Sequence, residues 1–162
     1  MASSKPSTAW NIGRLRSALE ERNLADNTIL LYLSDNGSAC DKKGEFDAYN
    51  AGLRGKKGST YEGGHRVPCL IHWPAGGLIG GSDRPQLTAH YDLFPTLMEL
   101  CGLTAPESAT FDGQSLAPLL NDAETNWPNR TLITEAKINK RDRPYDSSAI
   151  MSGSWRLVNQ AE

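Results

Sequence analysis

The sequence has few cysteines and no long hydrophobic segment. Cys40, Cys69 and Cys101 are far apart and form no C-x-x-C pair, which argues against a zinc site or a thioredoxin-like redox motif. We expect Cys69 and Cys101 to be buried, as free cysteines often are. No apolar run approaches the roughly 18 residues that a membrane-spanning helix needs. The N-terminus also lacks the apolar core of a signal peptide, so nothing in the sequence indicates a membrane as partner.

The sequence also lacks a large net charge of either sign. The sequence has 17 lysines and arginines against 19 aspartates and glutamates, which gives a net charge of −2. This balance provides no reason to expect nucleic acid as a partner. A length of 162 residues suits one domain with its own hydrophobic core.

The hydrophobic pattern predicts an α/β fold. Apolar residues recur at helical spacing in residues 11–22, which indicates an amphipathic helix with Asn11 as its N-cap. The short apolar run at 29–34 is typical of a strand buried on both faces of a parallel sheet. We therefore expect a partial central sheet flanked by helices. The other predicted elements are strands at 67–73 and 131–135, a helix at 88–103, and a small antiparallel hairpin at 149–158 with its turn at Ser152-Gly153.

Two polar side chains follow the first predicted strand, in the tripeptide Asp35-Asn36-Gly37. In open α/β sheets, ligands bind beyond the carboxyl ends of the strands. A carboxylate and an amide oxygen at that position suit a hard cation such as calcium or magnesium. The alternative is a plain turn, because Asn-Gly is a strong turn signal.

A glycine-rich basic segment follows, with the sequence LRGKKGSTYEGGHRVP at residues 53–68. Its four glycines allow the backbone to approach a ligand closely. Lys56, Lys57, His65 and Arg66 carry groups that can neutralise an oxyanion. The segment contains no GxxxxGK[ST] motif and is therefore not a Walker loop. The alternative is a solvated basic loop without a ligand.

With these motifs in order, the sequence resembles the sulfatase family of the alkaline-phosphatase-like superfamily. The resemblance continues through VPCLIHWP, HYDLFPTLMELCGL, FDGQSLAPLL and SGSWRLV, and it covers roughly residues 11–158. It implies a truncated alkaline-phosphatase-like fold. It divides the chain into a leader or added segment at 1–10 and a sulfatase-like C-terminal region at 11–162. Within that region, residues 28–68 would form a metal and anion half-site, and residues 69–162 would support it.

The resemblance also implies roles for single residues. Asp35 and Asn36 would bind a divalent cation, usually calcium, and Lys57 would contact the sulfate of the substrate as a catalytic residue. His65 and Arg66 are weaker candidates for substrate binding. Glu62 and Arg66 match the motif and would hold the loop in shape. Lys56 stands where the family often has glycine.

The nucleophile that the resemblance implies is not found in the sequence. Sulfatases use a formylglycine made from Cys or Ser in a Cys/Ser-x-Pro-x-Arg context, and no cysteine of this chain has that context. We therefore expect a fragment of a sulfuric ester hydrolase, inactive alone, that binds calcium weakly or not at all. Its parent would act on sulfated sugars or aryl sulfates. The sequence does not determine the cellular compartment, and one alternative is that the longer parent protein is periplasmic or secreted.

Two other functions remain open at this point. One is a phosphomonoester or phosphonate hydrolase of the same superfamily, and the other is a non-catalytic binding or interaction module. We also expect a homo-oligomer, because an open edge of the strand at 29–34 invites pairing with another chain.

Overall fold

The computed structural model describes residues 7–39, 50–122, 125–136 and 145–160. The chain divides into two compact units, one formed by Met1–Leu31 with Leu70–Ser82 and the other by Tyr32–Cys69 with Asp83–Glu162. Within the described ranges, no helix combines the length and the apolar character that crossing a membrane requires. Cys40 lies outside the described residues.

The first unit begins with helix α1, Thr8–Glu20. The predicted helix is confirmed, but its predicted start is wrong: Ser7 is the N-cap, and its hydroxyl accepts a hydrogen bond from the Trp10 amide. Asn11 lies inside the helix instead. Later in this unit, a short 3-10 turn spans Pro74–Gly76, and its Ala75 amide donates to the Asp26 carbonyl at 2.8 Å.

Two short strands form a two-stranded sheet, β1 at Leu30–Leu33 and β2 at Cys69–His72. Both were predicted from their apolar runs. Burial is lower than predicted, because every residue of β1 is only half-buried. Cys69 is exposed, as is Cys101 after the following helix, so the expectation that these two thiols are buried is wrong.

In the second unit, four short elements precede the C-terminal sheet. Helix α2 spans Glu62–His65, a 3-10 turn at His90–Asp92 leads into helix α3 at Leu93–Leu100, and helix α4 spans Ala117–Asn121. The helix predicted at 88–103 is thus shorter and begins as a 3-10 turn. It ends at Leu100, three residues before the predicted end, and Gly102 follows with a φ of +65° that favours glycine, as expected of the predicted stop residue.

Three antiparallel strands end the chain: β3 at Thr131–Glu135, β4 at Ser147–Ser152 and β5 at Trp155–Gln160. The predicted hairpin is therefore β4–β5, and β3 adds a third strand on the other side of β4. One face carries Leu132, Ala149 and Met151 into the core, where they are buried together with Leu116, Ala117 and Leu119.

Asp92 precedes the first residue of α3, and its side chain is buried. Its carboxylate is fully buried and accepts hydrogen bonds from the Ala89 amide at 2.7 Å, the Gln114 amide at 3.1 Å and Arg130 Nη1 at 2.8 Å. Nearby, the buried Thr96 hydroxyl donates to the Asp92 carbonyl at 2.6 Å. Buried carboxylates persist in proteins when they are paired and hydrogen-bonded in this way. Asp92 therefore ties three separate segments of the second unit together.

Candidate active site

The loop after β1 presents the acidic and amide side chains next to each other. Asn36 Nδ2 donates a hydrogen bond to Asp35 Oδ2 at 2.6 Å. Just before them, the Ser34 hydroxyl donates to the Asn36 carbonyl at 2.8 Å. Asp35 Oδ1 and Asn36 Oδ1 take no part in the bond between the two side chains. Both are oxygen atoms of the kind that hard cations prefer.

Lys57 lies in a tight turn formed by the glycine-rich segment. Gly55 and Gly58 have φ values of +84° and +85°, in the left-handed region that favours glycine. The Ser59 amide donates to the Lys56 carbonyl at 2.9 Å, which closes the turn around Lys57. The glycines therefore set the backbone conformation from which the Lys57 side chain projects.

Backbone hydrogen bonds join this turn to the loop after β1. The Lys57 amide donates to the Ser38 carbonyl at 2.9 Å, and the Gly37 amide donates to the Gly64 carbonyl at 2.9 Å. The backbone that carries Asp35 and Asn36 is thus tied to the backbone that carries Lys57. The sequence predicted that these three residues serve one site, and the structure brings their segments together.

Glycine is needed at the contacts between these segments because backbone meets backbone there. A Cβ atom on Gly37 would lie 1.9 Å from the Gly63 carbonyl oxygen, and one on Gly64 would lie 2.0 Å from the Ser59 carbonyl oxygen. A Cβ on Gly63 would lie 2.2 Å from the Gly55 oxygen. No flexible side chain can move aside to relieve such overlaps. We call Gly37, Gly55, Gly63 and Gly64 the glycine contact.

Glu62, the first residue of α2, forms ion pairs with two arginines. Its Oε1 atom lies 3.6 Å from Arg66 Nη1 and 3.2 Å from Nε of Arg156 in β5. The pair with Arg66 is half in solvent and contributes little stability, on the order of 0–1 kcal/mol. The loop-holding role of Glu62 and Arg66 stays a prediction. Sequence reasoning missed Arg156, although it lies in the SGSWRLV landmark.

His65, at the end of α2, has a perturbed pKa. Burial lowers the pKa of His65 below its ordinary value of 6.5, and the charge of Arg156 acts in the same direction. A backbone hydrogen bond at Thr60 and the charge of Glu62 oppose this lowering. His65 therefore tends to be neutral near pH 7.

His65 and Arg66 line an open cleft of about 820 Å³ in the second unit. Its other basic lining residues are His90, Arg84, Arg130 and Arg156, and among the described residues Glu62 is the one acidic residue in its wall. Asp35, Asn36 and Lys57 are not lining residues of this cleft. The predicted site residues thus form two groups: Asp35, Asn36 and Lys57 around the joined loops, and His65 and Arg66 at the cleft.

The donor set of the joined loops fits part of a calcium site. In the part of the chain that the structure describes, no group of three or more His, Cys, Asp or Glu side chains is placed to hold a metal ion. Asp35 and Asn36 contribute hard oxygens, whereas calcium takes 6–8 oxygen ligands. The two side chains therefore supply oxygen atoms of the kind that calcium binds, as part of the larger set that the ion takes.

Comparison with known proteins decides the family. The family model described as Sulfatase matches residues 6–103, more than half of the chain, and the match includes the loop after β1 and the glycine contact. The chain belongs to the sulfatase family.

Individual sulfatases are similar over most of the chain. Mouse steryl-sulfatase is 38% identical over 115 residues, which is 68% of this chain and 18% of the relative. N-acetylgalactosamine-6-O-sulfatase of Bacteroides thetaiotaomicron is 30% identical over 162 residues, 94% of this chain and 30% of the relative. The chain thus spans less than a third of the length of these curated sulfatases.

A solved structure confirms the fold. The protein Ps i-CgsB, in complex with k-i-k-neocarrahexaose, has a TM-score of 0.74 and 31% sequence identity, and the match covers 91% of this chain and 31% of that one. The predicted α/β class with a C-terminal antiparallel hairpin is confirmed for this sulfatase chain.

Two contacts of the candidate site were not predicted from the sequence because they join distant segments. His90 Nε2 lies 2.8 Å from the Ser34 carbonyl, 56 positions away. Arg156 reaches Glu62 over 94 positions. Both segments belong to motifs that resemble sulfatases, HYDLFPT and SGSWRLV. A local sequence pattern does not indicate which distant residues such segments contact.

Proposed function

We propose that this chain supplies the cation-binding and sulfate-binding part of the active site of a sulfuric ester hydrolase. The observation that carries the proposal is the backbone joint between the two segments, Lys57 N to Ser38 O and Gly37 N to Gly64 O. These two bonds tie the backbone segment that carries the Lys57 ammonium group to the segment that carries the oxygens of Asp35 and Asn36. Membership of the sulfatase family supports this assignment.

The chemistry of sulfate ester hydrolysis explains why these groups belong together. The transition state carries negative charge on the nonbridging and leaving-group oxygens. A fixed ammonium aimed at such an oxygen stabilises that charge, since it needs no reorganisation during the reaction. Lys57 has this role in the proposal. A divalent cation held by Asp35 and Asn36 would also be positively charged and would supply Lewis-acid stabilisation of the same oxygens.

Substrate binding is assigned to the cleft residues His65 and Arg66. Arg66 presents a fork of donors that fits an oxyanion. Burial lowers the pKa of His65, so the imidazole is mostly neutral near pH 7 and can donate or accept a hydrogen bond. We propose sulfated sugars or aryl sulfates as the substrate class.

The proposal requires groups beyond Asp35, Asn36 and Lys57. Sulfatase chemistry uses a formylglycine nucleophile, and no residue of this sequence stands in the Cys/Ser-x-Pro-x-Arg context. We propose that the nucleophile and further calcium ligands lie outside residues 1–162. Weak calcium binding and no turnover by the chain alone follow from this proposal.

The decisive experiment compares Lys57 with its neighbour in a polypeptide that also carries the nucleophile. Removing one preorganised donor to a developing oxyanion costs roughly 10²–10³ in kcat. Lys57→Ala should therefore lose about that factor on an aryl sulfate, while Lys56→Ala stays within a few-fold of the wild type. Equal losses in the two variants would overturn the assignment of Lys57. Preferential hydrolysis of an aryl phosphate by the wild type would favour the phosphohydrolase alternative.

Calcium binding is tested separately on the chain itself. Titration with calcium chloride, followed through the amide resonances of residues 35–37, should show weak saturable binding. Asp35→Ala should abolish it, and Asp83→Ala, which removes the same charge at an exposed position, should leave it unchanged. Equal binding by the Asp35 variant and the wild type would contradict the role of Asp35.

A further inference from the structure

A side chain from a distant segment holds the loop that carries Asp35 and Asn36. His90 Nε2 lies 2.8 Å from the carbonyl oxygen of Ser34, which directly precedes Asp35. The Ser34 hydroxyl in turn donates to the Asn36 carbonyl at 2.8 Å. Ser34 is thus bonded at its carbonyl to His90 and at its side chain to the loop that follows.

The partner of His90 determines its tautomer. A backbone carbonyl can accept a hydrogen bond but cannot donate one, so the proton of a neutral His90 must be on Nε2. The Nε2 atom of glutamine can take nearly the same place and also donates, whereas leucine has a similar size and no donor. These two residues therefore separate the hydrogen bond from the volume of the side chain.

His90 is placed by a rigid part of the fold. It begins the 3-10 turn His90–Asp92, and Asp92 is the buried carboxylate that ties Ala89, Gln114 and Arg130 together. The side chain of Asp92, two residues from His90, is therefore held by three hydrogen bonds, one of them from the backbone amide that directly precedes His90. A donor mounted on such an anchor holds its acceptor in place better than one on a free loop.

The loop is consequently bonded at both ends. On the side of β1, the Ser34 carbonyl accepts from His90. On the far side, the Gly37 amide donates to the Gly64 carbonyl at 2.9 Å. Asp35 and Asn36 lie between these two bonds.

We propose that His90 is a positioning residue, which holds the Ser34 carbonyl and so orients the Asp35–Asn36 loop toward a cation. The cation part of this inference rests on the function proposed above. The bracing of the loop by His90 does not, and it can be measured without metal.

The test uses His90→Leu and His90→Gln, with amide hydrogen exchange and calcium titration as two separate measurements. A single hydrogen bond of net worth about 0.5–1.5 kcal/mol corresponds to a factor of roughly 2 to 10. In metal-free protein, the Leu variant should speed exchange of the Gly37 amide by that factor, while exchange of the buried Ala149 amide stays unchanged. In the titration it should weaken calcium binding by a similar factor. The Gln variant should restore both values.

The outcomes separate the inference from the proposed function. Unchanged Gly37 exchange in His90→Leu would overturn the bracing role, and so would an equal acceleration at Ala149, since that would mean general destabilisation. If the wild type binds no calcium while the Gly37 amide responds as expected, the bracing stands and the cation half of the proposal fails. If the wild type binds calcium and His90→Leu binds it equally well, the positioning role is overturned.

Discussion

Replacing Gly37 by alanine tests the glycine contact directly. The new Cβ would lie 1.9 Å from the Gly63 carbonyl oxygen, whereas such contacts are essentially never shorter than 3.0 Å. The two backbones must therefore separate by at least 1.1 Å. Because Gly63 and Gly64 are adjacent, this movement also stretches the 2.9 Å bond from the Gly37 amide to the Gly64 carbonyl.

The expected cost combines two effects. Overpacking a well-packed site costs about 1–3 kcal/mol, and the loss of one net hydrogen bond costs about 0.5–1.5 kcal/mol. We expect Gly37→Ala to lower the free energy of unfolding by about 1.5–4.5 kcal/mol, the sum of the two effects. This is a large share of the stability of a typical domain, which is about 5–15 kcal/mol.

Gly13→Ala is the matched control, and its expected effect has the opposite sign. Gly13 lies inside α1, and among the described residues no atom apart from its chain neighbours and the nearby backbone of its own helix lies within 4 Å of the position of its Cβ. Alanine is the better helix former by about 0.8–1.0 kcal/mol, so the control should stabilise the protein. Urea unfolding followed by circular dichroism measures both variants. A Gly37→Ala protein within 0.5 kcal/mol of the wild type would refute the reasoning on close backbone contact; this threshold is about the typical scatter for surface substitutions.

Three further predictions concern charge, pH and assembly. Asp92→Asn should cost up to about 3–5 kcal/mol in urea unfolding, because it leaves the Arg130 side chain, which is only 14% exposed, without its counter-charge; a loss below about 1 kcal/mol, typical of an exposed pair, would contradict this. The folded-state pKa of His65 is lowered, chiefly by burial, so the unfolded chain binds more protons as the pH falls through about 6.5 and stability drops. His65→Gln should make that drop between pH 7.5 and 5 shallower, and identical slopes in urea titrations would argue against it. Light scattering at micromolar concentration should give the mass of a dimer or larger assembly if the edge of β1 pairs between chains, and a monomer mass would count against the prediction.

Local sequence patterns predicted most of the elements. Short apolar runs identified β1, β2 and β3, and a Gly turn between apolar residues identified the β4–β5 hairpin. These signals are local, since strand and turn preferences depend on neighbouring residues. Boundaries were less accurate. The start of α1 was placed at the first residue before the apolar periodicity, whereas the serine that caps it lies one turn earlier.

The contact between the segments of the candidate site was predictable only where motifs in the sequence indicate it. Glycine density and the resemblance to sulfatases indicated that Lys57 and the Asp35–Asn36 pair belong together, and the backbone bonds join their segments. The contacts of His90 and Arg156 depend on how distant segments pack, and no periodicity encodes that. The cysteines illustrate the opposite error: their predicted burial came from an average preference of the residue type, and both described thiols are exposed.

The joint between Ser38 and Lys57 has a consequence for the length of the intervening chain. The Ser38 carbonyl is held by the Lys57 amide, and the Asn50 side chain donates to the Leu53 carbonyl at 2.6 Å. The Ser38–Lys57 bond joins residues 19 positions apart. Doubling the number of residues between two joined points raises the free-energy cost of closing the chain by only about 0.6 kcal/mol. A change in the number of residues between Ser38 and Asn50 should therefore leave the bond between Lys57 and the segment of Asp35 and Asn36 in place.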